Sequence, residues 1–130
     1  MSGSRRKTFI ARMTGVRSVT KGKIVLLPFP FDDLSGIKVR PAVCLTEPIG
    51  PHRQVVVAFI SSRIPPDCLD SDVVIREDHP AFAATGLRVS SAVRLHRLMT
   101  VTTGLFRREL GVLPSALQAE VAEHLRRLLF

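Results

Sequence analysis

A chain of 130 residues with 45% hydrophobic content is long enough for one domain with a real core, and too apolar to stay disordered. No apolar stretch approaches the ~20 residues of a membrane span, because Pro28, Pro30 and Arg63 interrupt the longest candidates. The formal charge of +8 is uneven: residues 1–31 carry seven of the 19 Lys and Arg and none of the 11 acids, leaving twelve basic against eleven acidic side chains elsewhere.

The positive charge therefore belongs mainly to an amino-terminal arm, residues 1–20, rich in Ser, Thr, Gly and Arg and without sustained periodicity. Such an arm is expected to be poorly ordered, and a mobile basic arm raises nonspecific affinity for RNA or DNA. The bland alternative is a leader upstream of a start at Met13. No apolar region follows the basic residues, so no signal peptide is expected. Cys44 lies in an apolar run and Cys68 in a polar stretch. That usage fits unpaired thiols and a cytoplasmic location better than a disulfide.

In chain order, Lys21-Gly22 reads as a turn into Ile24-Val25-Leu26-Leu27, whose continuous apolarity suggests an inner strand. Pro28 and Pro30 cannot donate to a ladder, so pairing there must stop, bulge or run along an edge. Phe29 and Phe31 alternate with them in a stiff segment suited either to core packing or to lining a groove. Asp32 to Val39 reads as a polar loop, with Arg40 at the start of a second strand, Pro41 to Thr46. A third strand, Gln54 to Ile60, runs out into Ser61-Ser62-Arg63, and a fourth covers Asp72 to Ile75. Ala81 to Ala84 suits one short helical turn. Ser91 to Leu95 reads as a strand, continuing after a bend through Arg97 to Val101. Leu105 to Val112 is ambiguous between strand and helix. After Pro114, Ser115 and Gln118 have capping-box spacing. Leu117, Val121, Leu125, Leu128 and Leu129 then mark one face of a helix, with Glu120 and Glu123 early and Arg126 and Arg127 late, as the helix dipole favours.

Most site chemistries find no support. The four His residues are scattered and neither Cys has zinc-site spacing. The acids Asp67, Asp70, Asp72, Glu77 and Asp78 read as a solvated cluster rather than a cation site, so no metal or other cofactor is expected. No P-loop, dinucleotide fingerprint or nucleophile elbow occurs. What remains is Arg40 with Ser61. If the second and third strands pair, the start of one and the end of the other meet at one end of the sheet. Arg presents a planar fork of donors matched to a phosphodiester, and a Ser hydroxyl can donate to a nonbridging oxygen as charge grows there.

The run Gly22-Lys-Ile-Val-Leu-Leu-Pro-Phe-Pro-Phe31-Asp-Asp-Leu-Ser-Gly-Ile-Lys-Val-Arg40-Pro41-Ala-Val-Cys-Leu45 resembles the MazF/PemK toxin endoribonucleases of toxin–antitoxin modules. Val57-Ala-Phe-Ile-Ser61-Ser62, Gly86-Leu87 with Ser91-Ala-Val-Arg-Leu-His-Arg-Leu98, and Leu110-Gly-Val-Leu113 before a final helix are similar too. The similarity covers residues 21–130 and omits the arm; Lys23 stands where the family commonly has Asp, and Ser61 where Thr is commoner.

The resemblance implies a mainly β, SH3-like barrel with a C-terminal α-helix and short additional helical turns. It also implies a homodimer neutralised by a cognate antitoxin, with operator DNA reached through that complex and no membrane. The implied activity is metal-independent, sequence-specific cleavage of single-stranded RNA to a 2',3'-cyclic phosphate and a 5'-hydroxyl. Arg40 and Ser61 match the family's essential positions, and the loop from Asp32 to Val39 its flap. Beside them, Lys38 and Arg63 are expected to bind phosphate and Phe29 or Phe31 to flank a base. Arg40 is a poor general base at its high pKa, which leaves His52 as an accessible alternative proton carrier. The competing reading is a noncatalytic nucleic-acid binder, or a toxin that inhibits a protein, on the same fold.

Overall fold

The computed structural model describes residues 19–30 and 37–130; the arm up to residue 18, Phe31 and most of the expected flap lie outside the described residues. Six strands follow one another: β1 (Lys23–Pro30), β2 (Ile37–Cys44), β3 (Gln54–Ser61), β4 (Asp72–Ile75), β5 (Ser91–Thr102) and β6 (Arg108–Val112). A short helix α1 (Phe82–Thr85) precedes β5, and helix α2 (Ser115–Leu129) ends the chain. All neighbours pair antiparallel in the order β4-β5-β3-β2-β1-β6, and the sheet curls into a half-barrel. Among the described residues, no helix is long and apolar enough to cross a membrane.

Two packed clusters flank the sheet, fed by alternate residues of the same strands, which is why these strands are apolar without alternation. Ile24, Val43, Ala58, Ile60, Val73, Val93 and Leu95 pack beneath α2, where Leu117 and Val121 close the cluster. Val25, Leu27, Phe29, Ala42, Cys44, Val55, Val57 and Phe59 form the second cluster on the opposite face.

Among the described residues, the prolines of β1 pair on one side of the strand only. β1 meets β6 only from Lys23 to Leu26, so Pro28 and Pro30 pair with β2 alone and their missing N–H groups leave no gap between strands. β2 starts at Ile37 rather than Pro41, which places Arg40 inside the strand. β5 is one strand with an irregularity. Between Ala58 and Phe59 of β3 the partner jumps from Leu98 to Arg94, and Leu95, His96 and Arg97 make the expected bend. The ambiguous Leu105 to Val112 segment forms a turn, Thr103–Leu105, and then β6.

One expectation for the last helix fails. Pro114 holds the N-cap position, so Ser115 is already helical and no side chain caps the start. Instead, Gln118 Nε2 donates to the Leu113 carbonyl at 2.7 Å. Leu117 and Val121 of the helical face pack on the sheet with Leu125 against them, and Leu128 and Leu129 are exposed on this chain at 43% and 57%.

Candidate functional site

Pairing of β2 with β3 sets Ala42 opposite Phe59 and Cys44 opposite Val57. Continuing that register by two residues carries Arg40 to the level of Ser61. The ladder between the strands stops beside Pro41, which has no N–H to donate. On its other side Arg40 is paired with Leu27 of β1, so its backbone is held in the sheet while its side chain leaves the edge of the β2–β3 ladder. A cleft of about 300 Å³ opens there, lined by Arg40, Phe59, Ser61, Ser62 and Arg63.

Ser61 holds a local turn. Its hydroxyl donates to the Arg63 carbonyl at 3.0 Å and accepts from the Arg63 N–H at 3.1 Å. The two bonds fold the chain back after β3 and bring Arg63 to the cleft. Both lie in solvent, so the O–H can swing to another acceptor while water takes its place on the Arg63 carbonyl; the net cost is a fraction of one hydrogen bond. Arg40 and Ser61 are half-buried and Arg63 is exposed.

Phe59 lies against the cleft. Its ring meets Phe29 edge to face, with centroids 5.4 Å apart at 77°, and the Arg97 guanidinium lies 5.1 Å from its centroid. Arg97 was not among the residues expected here; the bend before it was the available signal, since extra residues in a strand re-aim side chains. Among the described residues, none lining the cleft is acidic. Lys38 is exposed and shares the face of β2 with Arg40, two residues along.

The structure does not bring every expected residue to this point. Phe29 is only 5% exposed and belongs to the second core cluster, so it supports Phe59 from within and offers no face to a base. His52 is exposed in the turn before β3, at the opposite end of that strand from Ser61, about 23 Å away at ~3.3 Å per residue. It is out of reach of the cleft.

The nearest acids and thiols have other commitments. Asp72 is buried; one carboxylate oxygen accepts from Arg94 Nε at 2.7 Å and the other from the Leu69 N–H at 2.9 Å. Among the described residues, no three His, Cys, Asp or Glu side chains gather closely enough to hold a metal ion. Cys44 sits in the core behind β2, and burial pushes its thiol up to about 12. Chemically, the cleft offers what a tetrahedral anion needs: a forked cation, a second cation and a hydroxyl that can turn toward the same space.

Residues 20–129 match the model of a family described as PemK-like, MazF-like toxin of type II toxin-antitoxin system. Among solved structures, the Mycobacterium tuberculosis toxin MazF-mt6 is similar at 24% identity over 79% of this chain and 93% of that one, with a TM-score of 0.58. The MazE-MazF complex from Deinococcus radiodurans is similar at 22% identity over 84% and 94%, with a TM-score of 0.60. An endoribonuclease in complex with its cognate antitoxin from a mycobacterial species is similar at 14% identity over 86% and 95%, with a TM-score of 0.59. At these identities the structural likeness speaks for the fold. No curated protein sequence matches the chain.

Proposed function

The chain belongs to the PemK-like, MazF-like toxins of type II toxin–antitoxin systems, and on that premise we propose that it is a sequence-specific endoribonuclease acting on single-stranded RNA. The observation that carries this reading is the shared cleft of Arg40, Ser61 and Arg63. In the proposed reaction the 2'-hydroxyl oxygen attacks the adjacent phosphorus in line. A new bond from O2' to phosphorus forms, the bond from phosphorus to O5' breaks, and the products are a 2',3'-cyclic phosphate and a 5'-hydroxyl. The proton lost by the 2'-hydroxyl and the one gained by O5' balance.

Because RNA carries its own nucleophile, the protein's task is to hold the phosphate and stabilise charge, and a metal ion is not required for that task. Arg40 spans the scissile phosphate with its forked donors. Ser61 turns its hydroxyl from the Arg63 carbonyl to a nonbridging oxygen as charge grows there. Arg63 and Lys38 hold adjoining phosphates. Residues 21–130 act as one SH3-like barrel domain with its closing helix, and residues 1–20 as a basic arm. The toxin is a cytoplasmic homodimer restrained by a cognate antitoxin. Solved relatives described as an endoribonuclease with its cognate antitoxin and as MazE-MazF support that partner.

The test is incubation in EDTA with a mixed-sequence single-stranded RNA and its all-DNA counterpart, followed by mapping of the ends. Cuts confined to RNA and ending in a cyclic phosphate are expected. RNA bound but left intact across broad sequence coverage would favour the noncatalytic binder.

A further inference from the structure

A second basic cavity lies where β6 meets β1 and the turn before β3, separate from the Arg40–Ser61 cleft. It has a volume of about 310 Å³, and Lys23, Arg53, Phe106, Arg107 and Arg108 are among its lining residues. Lys23 is neutralised there by Glu109 at 3.1 Å. The three arginines are exposed, and among the described residues none of them makes an ion pair. The wall of this cavity thus carries a net charge of about +3 at neutral pH.

The backbone holds the three in place. Arg107 N–H donates to the Leu26 carbonyl at 2.7 Å, and Arg108 pairs opposite Leu26 where β6 closes on β1. Arg53 has φ +50, the only positive φ at a non-glycine residue among those described. Its N–H donates to the Gly50 carbonyl at 3.1 Å, and its carbonyl accepts from the Thr103 N–H at 3.0 Å. A left-handed arginine is conformationally unfavourable relative to glycine. Its side chain lines the cavity together with those of Arg107 and Arg108.

The placement links this cavity to the first cleft. Val25 lines it and belongs to the same core cluster as Phe59, which lines the cleft. Ser61 ends β3 and Arg53 stands just before it, with the strand between them spanning about 23 Å at ~3.3 Å per residue, while Arg108 lies two strands from Arg40. Arg97, over the Phe59 ring, continues the positive charge from the cleft onto β5. A single-stranded polyanion of several nucleotides matches this separation, as in other small barrels that track about 4–16 nucleotides. A compact anion would engage one end only.

We infer that the Arg53–Arg107–Arg108 cavity is a second phosphodiester-binding site, which holds the backbone of single-stranded RNA several nucleotides from the bond placed at Arg40. It reads charge and not sequence, because arginine forks on phosphates carry no base information. The identity of the polymer rests on the ribonuclease reading; binding to this cavity does not depend on turnover.

The test therefore uses an RNA that cannot be cut, a fully 2'-O-methylated single strand of about 12 nucleotides. Its affinity is measured against salt for the full chain, for Arg53→Gly, and for Arg107→Ala with Arg108→Ala. Arg53→Gly relieves the left-handed backbone, so the fold is retained while the guanidinium is lost. Binding about tenfold weaker in each variant is expected. The slope of log K against log salt should fall by about 0.7 for each phosphate contact removed. A trimer, too short to span both sites, should show a shallower salt slope than the long strand and lose less affinity in each variant. Unchanged affinity and slope for the long strand in both variants would overturn the inference, whether or not the protein cleaves RNA. Equal weakening for the trimer would overturn it too, as would loss of binding to an acidic peptide with RNA binding intact.

Discussion

Replacing Ser61 by alanine separates the turn that its hydroxyl closes from the catalytic role proposed for it. In the resting structure Ser61 Oγ makes the 3.0 and 3.1 Å bonds that close the turn onto Arg63. Both are solvent-accessible, so their joint loss costs about 1 kcal/mol. For a chain of this size that lowers the melting temperature by about 3–5 °C, leaving the protein folded at 25 °C. In the cleavage proposed above the same hydroxyl meets a phosphate oxygen as charge develops, and removing one such donor lowers a rate by about 10²–10³. Ser61→Ala should therefore look almost normal by circular dichroism and urea denaturation, yet cleave RNA at least a hundredfold more slowly in single turnover. Ser61→Thr keeps the hydroxyl on a β-compatible side chain and should retain most of the rate. If Ser61→Ala stays folded and cleaves within about threefold of the parent, the hydroxyl serves only the turn and the catalytic assignment is wrong.

Arg40→Lys should fall by about 10² in rate, because a point charge cannot span two phosphate oxygens, and Arg40→Ala should fall further. Single-turnover cleavage beside filter binding of uncleavable RNA tests this, with binding expected to suffer less than rate. Gly86 ends α1 with φ +73, and an added Cβ would run into the Leu110 carbonyl of β6. Gly86→Ala should lose about 2 kcal/mol or more in urea denaturation, from left-handed strain and the clash together. The Cys44 thiol keeps its proton up to about 12 in the folded chain, whereas an unfolded thiol loses it near 9.0. The unfolded state then binds fewer protons above that lower value, so the contribution of this thiol to stability is constant below about pH 9 and falls above it by up to about 1.4 kcal/mol per pH unit. Denaturation series at rising pH should show this slope, and Cys44→Ala should flatten it. Thiol labelling should reach Cys68 at once and Cys44 only on unfolding, since Cys68 is exposed and Cys44 buried.

Strand content was legible because it follows from apolar runs and punctuation, whereas the strand order was not. Pro28 and Pro30 required pairing to stop, bulge or run along an edge, and among the described residues β1 pairs with β6 only as far as Leu26. The meeting of Arg40 and Ser61 at one cleft was legible for a topological reason: antiparallel neighbours bring the start of one to the end of the next. The same rule sends His52 away, since the turn between β2 and β3 must sit at the far end of β3 from Ser61. Phe29 was less tractable. Alternation with prolines tells which residues share a face, but not whether that face looks into the core, and only packing against Phe59 decides it. The capping box failed because Pro114 occupies the N-cap position, one residue earlier than the spacing suggested. The second arginine cavity was illegible because it joins the turn before β3 to β6, and that closure depends on where the last strand docks.

The central claim is that the substrate's own 2'-hydroxyl does the chemistry while Arg40 and Ser61 hold the phosphate. The most direct measurement uses two RNAs that differ only in a single 2'-deoxy nucleotide on the 5' side of the mapped cleavage position. Affinity should be nearly equal for the two, and cleavage of the deoxy strand at that bond should vanish. Cleavage of the deoxy strand at an unchanged rate would show that water or another group is the nucleophile, and would contradict the mechanism assigned to this cleft.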